Sequence, residues 1–392
     1  MNVQEKALQE FNSTGYPTVK NESWRFTDLS RLNNHSFDGI WKNSDISFEP
    51  FDEIYIVFEN GKLSLDKSNL DTLPIGLTLK SIKDYKELSL NSLQSEVNGI
   101  INLNIANFND GYYLKVEDNI TINTPIHIIY LTDSLNFSNC LRNYVEVGNN
   151  SKITIVEEYI GDDNSIYLTN SITEVFGGNN CDIGHYKYQC ESNQSFHFQT
   201  IEVTIGSNSF FNNHSISIGC ELGRNDIRGI LKGENSEIVC NGLYLLKDNQ
   251  LFDTHLFMDH AVPNCKSHEL YKGILADKSK GIFCGRILVQ PDAQQTDAIQ
   301  SNANLLLSRT AKVNTMPQLE IYADDVRCTH GATIGEIDEK ALFYMKSRGL
   351  DDFSANALLT FAFANEVVDG ISFKPMRKKI EQSIEVWLKK VL

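Results

Sequence analysis

From about Asn98 to Tyr322 the chain is written in short β-branched and aromatic runs separated by Asn, Gly, Asp and Ser, and this punctuation limits the fold more than any other feature. Ile126–Leu131, Tyr144–Val147, Lys152–Glu157, Ser171–Phe176, Thr200–Ile205, Ser215–Ile218 and Ile287–Val289 are typical of it. Strand-sized runs at close spacing, with little helical periodicity between them, predict an all-β unit. A sandwich, a barrel and a solenoid all satisfy that pattern. Cysteine spacing favours the solenoid: Cys220 to Cys240 is 20 residues, Cys265 to Cys284 is 19, and Cys140, Cys181 and Cys220 lie about twice as far apart. A parallel β-helix with coils of roughly 20 residues would stack such positions. Asn and Gly suit its corners because they tolerate positive φ.

Different text flanks this region. Residues 1–97 read as a small helical or α/β cap, with a helix-like start at Val3–Phe11, a break at Pro17 and a short extended piece at Ile54–Phe58. The β core is expected over 98–327, and 328–392 reads as a helical part. There Asp338 is placed to cap a first helix, with Ile337 and Leu342 as a hydrophobic staple and Gly349 as a left-handed stop. A second helix fits Ser354–Val368. Pro375 opens a third, on which Ile380, Ile384, Trp387 and Val391 form one apolar stripe. Three helices of this size bury little alone, so their apolar faces need the β core or another protein.

The balance of 35 basic and 51 acidic residues, a net charge of −16, argues against nucleic acid as the main partner. Neither a leader pattern nor an apolar run of membrane-spanning length is visible, so a soluble cytosolic chain is expected. In that compartment the eight cysteines should be free thiols, and none forms a Cys-x-x-Cys pair. Without a phosphate-binding Gly-x-x-x-x-Gly-Lys-Ser/Thr loop, ATP hydrolysis by this chain is not expected. Gly-x-Ser-x-Gly and His-Glu-x-x-His are missing too. The carboxylate pairs Glu157-Glu158 and Asp324-Asp325 would face opposite ways on a strand, and solvated charge is the expectation for both.

Two places gather soft-metal ligand types. Cys328 and His330, two apart, fall on one side of an extended strand and could reach the same ion. Two ligands do not complete a zinc or iron–sulfur centre, so the pair shares a metal with another chain or binds none. His255, His260, Cys265 and His268 form the densest cluster, but their spacing fits no standard zinc pattern, and packing roles are expected. The remaining cysteines, Cys140, Cys181, Cys190, Cys220, Cys240 and Cys284, read as apolar fillers.

Read together, Cys328-Thr-His-Gly-Ala-Thr-Ile-Gly335, Glu22-Ser-Trp-Arg-Phe-Thr27, Asp253-Thr-His255, Cys265-Lys-Ser-His-Glu-Leu-Tyr-Lys-Gly273, Phe283-Cys-Gly285, Thr296-Asp-Ala-Ile-Gln300 and Leu319-Glu-Ile-Tyr-Ala-Asp-Asp-Val-Arg327 resemble the SufB/SufD family of the SUF iron–sulfur cluster assembly machinery. Moderate length and the lack of Cys-x-x-Cys resemble its SufD branch more than its SufB branch. The resemblance covers nearly the whole chain. It implies a right-handed parallel β-helix core with helical N- and C-terminal parts, acting as a non-enzymatic scaffold. It further implies pairing with a SufB-like paralogue, with His330 and, less firmly, Cys328 near a nascent cluster at the junction. Docking of a SufC-like ATPase on the C-terminal helices is implied as well. There Phe343, Tyr344, Arg348, Phe361 and Phe363 supply anchor-type side chains, with half of them expected simply to pack the helices on each other. No stably bound cofactor is expected on the isolated chain, only a transient iron–sulfur cluster in the complex, and no flavin fingerprint is seen. A homodimer is expected as a possibility when the paralogue is missing. Outside this family stand a β-helical lyase or acyltransferase and a zinc hydrolase using His255, His260 and His330.

Overall fold

A computed structural model describes residues 3–71, 73–85, 93, 97–163 and 165–392. Among these residues the chain is mainly β, wound as a parallel solenoid with two walls. The first wall has nine strands and the second ten, and consecutive strands of the core alternate between them. Each coil therefore contributes one strand to each wall. Most strands are about ten residues long, as in Phe196–Ile205, Leu222–Leu231, Leu251–His260 and Lys280–Val289, which lie side by side in parallel register.

Asparagine turns one corner of coil after coil. Asn119, Asn150, Asn180, Asn208, Asn235, Asn264 and Gln295 all adopt left-handed φ between +54° and +63°. Asn tolerates that region because its short side chain bonds locally. These side chains also bond one another along the stack: Asn150 Nδ2 donates to Asn119 Oδ1 at 2.9 Å, and Asn180 Nδ2 to Asn150 Oδ1 at 3.0 Å. The corner recurs every 27 to 31 residues, which corrects the expected coil of roughly 20. Two strands of ten and two corners need about thirty residues. No cysteine stacks on another in an adjacent coil: Cys140 pairs with Asn170, Cys240 with Asn213 and Glu269, and Cys284 with His255 and Met316. Their spacing was coincidental.

The inward face of both walls carries the main core, from Ile56 and Phe58 through Ile155, Ile183, Phe211, Ile238 and Phe283 to Ala298. Both walls begin with an antiparallel strand. Lys62–Asn69 pairs antiparallel with Tyr55–Glu59, and Leu77–Ser81 with Tyr112–Val116. Tyr55–Glu59 also lies parallel to Ile126–Thr132, so the extended piece read at Ile54–Phe58 is built into the sheet. The cap assigned to residues 1–97 includes 86–92 and 94–96, which lie outside the described residues. At the other end the second wall runs on past Arg327, where the sequence reading starts the helical part. Residues 327–335 pair in register with 297–305.

The outer faces are covered by the two ends of the chain. Behind helix α1 (Val3–Thr14), a segment with Trp24, Leu29 and Leu32 packs on Phe198, Leu222 and Leu251 of the first wall, and helix α2 (Gly99–Asn107) adds Ile100 and Leu103. Arg224 locks that segment: it lies 3.8 Å over the Trp24 ring, bonds the Ser23 carbonyl at 2.7 Å and pairs with Asp253 at 2.8 Å. Of the C-terminal helices α3 (Glu339–Ser347), α4 (Asp352–Val368) and α5 (Lys374–Val391), α4 and α5 cover the second wall and α3 packs on α4. Asp338 caps α3 by accepting from the Lys340 N–H at 2.9 Å, and Gly349 ends it at φ +94°. Asp351 caps α4 through the Ser354 N–H at 2.7 Å, starting it two residues before the expected Ser354. On α5, Met376, Ile380, Ile384, Trp387 and Leu388 are buried against Ile216, Leu243, Leu245 and Ile274 of the wall. The apolar stripe thus finds the β core. Helix α3 buries none of its residues.

One expectation about charge is overturned. Glu157 and Glu158 face opposite ways, but both are fully buried. Glu157 points inward and accepts from Tyr112 at 2.9 Å and Gln199 at 2.9 Å. Burial pushes its carboxyl up, yet nearby His185 and these bonds hold it below the usual range. Glu158 points outward beneath α5, where His127 lies at 3.1 Å and Lys379 reaches it. Only the tertiary cover makes these groups buried, so the local sequence could not reveal it.

Candidate functional site

The site lies where the solenoid stops. Strand Lys312–Ile321 ends the first wall and strand Arg327–Gly335 the second, and each has a neighbour on one side only. Their free edges present unpaired backbone donors and acceptors, which invites pairing with another chain. Along Arg327–Gly335 almost every residue is exposed.

Parity decides which side chains face the bore. On the preceding strand of this wall Ala298, Gln300, Asn302 and Asn304 are the buried inward set. Register places Cys328 above Ala298 and His330 above Gln300, so both face inward at the uncovered end. Cys328 packs against the main core, and burial pushes its thiol up. His330 is exposed because no further coil covers it. Among the described residues no group of three or more His, Cys, Asp and Glu side chains is arranged to hold a metal ion. Cys328 and His330 therefore stand as a pair, with no third such side chain grouped with them among the described residues.

Beneath His330 runs a polar column that sequence reasoning missed. Register stacks His185, Asn213, Cys240, Glu269, Gln300 and His330 on successive strands of the second wall. All but His330 are buried. Asn213 Nδ2 meets His185 Nδ1 at 2.8 Å, and Gln300 Nε2 donates to Glu269 Oε2 at 2.5 Å. Burial raises the Glu269 carboxyl to about 8, so it is neutral at pH 7. Once the thirty-residue coil is known, the spacing of these six residues signals the column.

The denser ligand cluster comes apart. His255 faces outward on the first wall, 3.1 Å from Asp253, which outweighs the burial penalty and raises its imidazole to about 9. His260 is buried, bonds Ser267 Oγ at 2.9 Å and is lowered to about 4 by burial. Cys265 Sγ donates to the Gly233 carbonyl at 3.3 Å within the core. His268 sits on the second wall with its Nε2 unpartnered. These residues serve different faces, and neither they nor a His255, His260 and His330 set makes a metal centre. All eight cysteines are free; Cys181 and Cys240 line the main core, Cys140, Cys220 and Cys284 are buried elsewhere, and Cys190 is half-buried beneath the C-terminal helices.

The anchor-type residues divide in two. Phe343 is 74% exposed and Tyr344 54%, with Arg348 5.2 Å over the Tyr344 ring. Phe361 and Phe363 are half-buried against the second wall, where Lys272 lies 4.2 Å over the Phe363 ring. On α4, Phe353 and Leu358 are also exposed. No helix among the described residues is long and apolar enough to cross a membrane.

Comparison with known proteins places this geometry in a family. Residues 130–363 match the SufBD core domain of SUF system FeS cluster assembly, and residues 1–128 match the SufBD protein N-terminal region. An iron–sulfur cluster assembly SufBD family protein of Synechocystis sp. is 31% identical, covering 98% of this chain and 90% of that protein. The iron–sulfur cluster assembly protein SufD of Escherichia coli is 28% identical over 95% of this chain and 89% of its own length. A chloroplastic protein of Arabidopsis thaliana named ABCI7 is 28% identical over 98% and 85%. With its core and N-terminal regions both matched, the chain belongs to the SufBD family of SUF-system iron–sulfur cluster assembly proteins.

Proposed function

We propose that this protein is a non-enzymatic scaffold subunit whose open solenoid end is completed by a SufB-like paralogue, and that His330 supplies one ligand to a cluster built at that junction. The observation that carries the reading is the joint placement of two free strand edges and the inward-facing Cys328 and His330 at one uncovered end. An imidazole with a free ring nitrogen is a suitable iron ligand, and Cys328 stands on the same face as a second donor. The remaining ligands come from the partner. The cluster is cargo, held transiently, and the isolated chain binds no cofactor stably.

ATP chemistry is supplied by a second partner, a SufC-like ATPase. The exposed Phe343, Tyr344 and Arg348 on α3 are its docking residues, since aromatic and arginine side chains dominate interface energetics. Phe361 and Phe363 support this surface from beneath by packing α4 on the wall. Without the paralogue, two copies of this chain pair through the same open ends.

The test is anaerobic reconstitution with iron and sulfide of the complex co-purified with its paralogue and ATPase. His330→Ala is expected to abolish cluster formation while the three proteins still co-purify. Full cluster yield in that variant would overturn the assignment.

A further inference from the structure

The column below His330 contains polar atoms with nothing to bond. Gln300 Oε1 and Glu269 Oε1 are both buried without a hydrogen-bond partner, although Gln300 is 1% and Glu269 3% exposed. A buried acceptor left unpaired costs about 1–3 kcal/mol, so its retention calls for a physical reason. The Gln300 amide is also given room at some expense. A Cβ on Gly285, across the bore on the first wall, would come within 2.2 Å of Gln300 Nε2, 2.5 Å of its Cδ and 2.6 Å of its Oε1. Any other residue at 285 would evict the amide from its seat.

The donor end of that amide is committed to Glu269. Its acceptor end is open, and the next inward residue on the adjoining strand is His330. We infer that Gln300 is a positioning residue: the exposed His330 ring turns so that Gln300 Oε1, unpaired in this structure, accepts the N–H of one ring nitrogen, fixing the tautomer and turning the other nitrogen out of the bore toward the junction. The inference rests on the reading of His330 as a ligand. Ligating histidines generally bond through their second nitrogen to an outer-shell acceptor that orients the ring. Gly285 acts one step further back, by holding open the space that seats Gln300, and the neutral carboxyl of Glu269 anchors the amide from the coil below.

The experiment uses the full chain labelled with 15N-histidine and reads the ring-nitrogen signals by NMR at neutral pH, with His330→Ala identifying the His330 pair. The wild-type protein is expected to show one dominant His330 tautomer. Gln300→Met, similar in shape but without an acceptor, is expected to give a mixture of tautomers. Gly285→Ala is expected to do the same with Gln300 still present, and Gln300→Glu, which retains an acceptor, to restore a single form. In the reconstituted complex Gln300→Met should weaken iron binding by about 10–100-fold. His330 signals indifferent to Gln300→Met overturn the inference. Should that variant fail to fold, indifference to Gly285→Ala does so. Because the tautomer is read without a cluster, failure here is distinct from failure of the ligand assignment, which His330→Ala tests in the complex.

Discussion

The two ends of the solenoid are built on opposite plans. At the N-terminal end the last strand of each wall also has one neighbour only, but it is turned antiparallel and the bore beneath is filled, with Phe58 fully buried and stacked on Tyr130 at 5.3 Å. At the C-terminal end the last strand of each wall has an empty side, and the inward positions of the final strand hold Cys328 and His330 in place of a plug. A protein that could finish one end from its own sequence leaves the other unfinished. Natural sheets usually blunt or cover such edges, and the proposed function takes the second end, with its unfilled inward positions, as the surface a partner would complete.

That comparison can be broken by substitutions ordered by their expected cost to the isolated chain. Phe58→Ala at the finished end should cost about 3–5 kcal/mol, read as a shift in the urea midpoint. A loss below about 1 kcal/mol would mean that end is not packed as described. Arg224→Met should cost about 3 kcal/mol, because the buried Asp253 loses its guanidinium partner, keeping only His255 and Thr27, and the Trp24 and Ser23 contacts go with it. Limited proteolysis should then cut preferentially near residues 22–34, and an intact, protease-resistant N-terminal segment would contradict the clamp.

An effect of similar size follows from His255. Its imidazole is raised to about 9 in the folded protein by Asp253, against about 6.5 unfolded. The folded state therefore binds the extra proton between these values. The stabilisation is complete below pH 6.5 and fades as pH rises toward 9. A loss of about 3 kcal/mol over that range is expected, and His255→Gln should flatten it; an unchanged slope in the variant would exclude this group as the source. Smallest of all, Ile334→Asp at the open end, where Ile334 is 48% exposed, should move the melting stability of the lone chain by less than about 0.5 kcal/mol. The same change should prevent association with the paralogue in size-exclusion chromatography. Unimpaired association would sharpen the contrast against this account, since a free edge with no partner would then need another explanation.

Much of this architecture was legible and some was not, for identifiable reasons. The strand runs, the capping by Asp338 and the α5 stripe follow local rules, and the structure keeps them. Cysteine spacing points to too short a coil, because cysteine is not the residue that repeats. The true marker is the corner asparagine, repeated from Asn119 to Asn264, whose left-handed φ is a backbone requirement at that one position of every coil. Glu157 and Glu158 looked solvated because what buries them, the bore on one side and α5 on the other, is distant in sequence. His330 and Cys328 were visible as a pair on one side of a strand. Their place at an open end, and Gln300 beneath, depend on register across thirty residues, which no local pattern encodes.

Backbone amide hydrogen exchange across Arg327–Gly335 and Lys312–Ile321 tests the unfinished end most directly, comparing the lone chain with its complex with the paralogue. The account predicts rapid exchange of the edge-facing amides in the lone chain and strong protection on complex formation, with little change in Tyr55–Glu59 at the finished end. Edge amides that stay unprotected in the complex, while protection appears elsewhere, would contradict it.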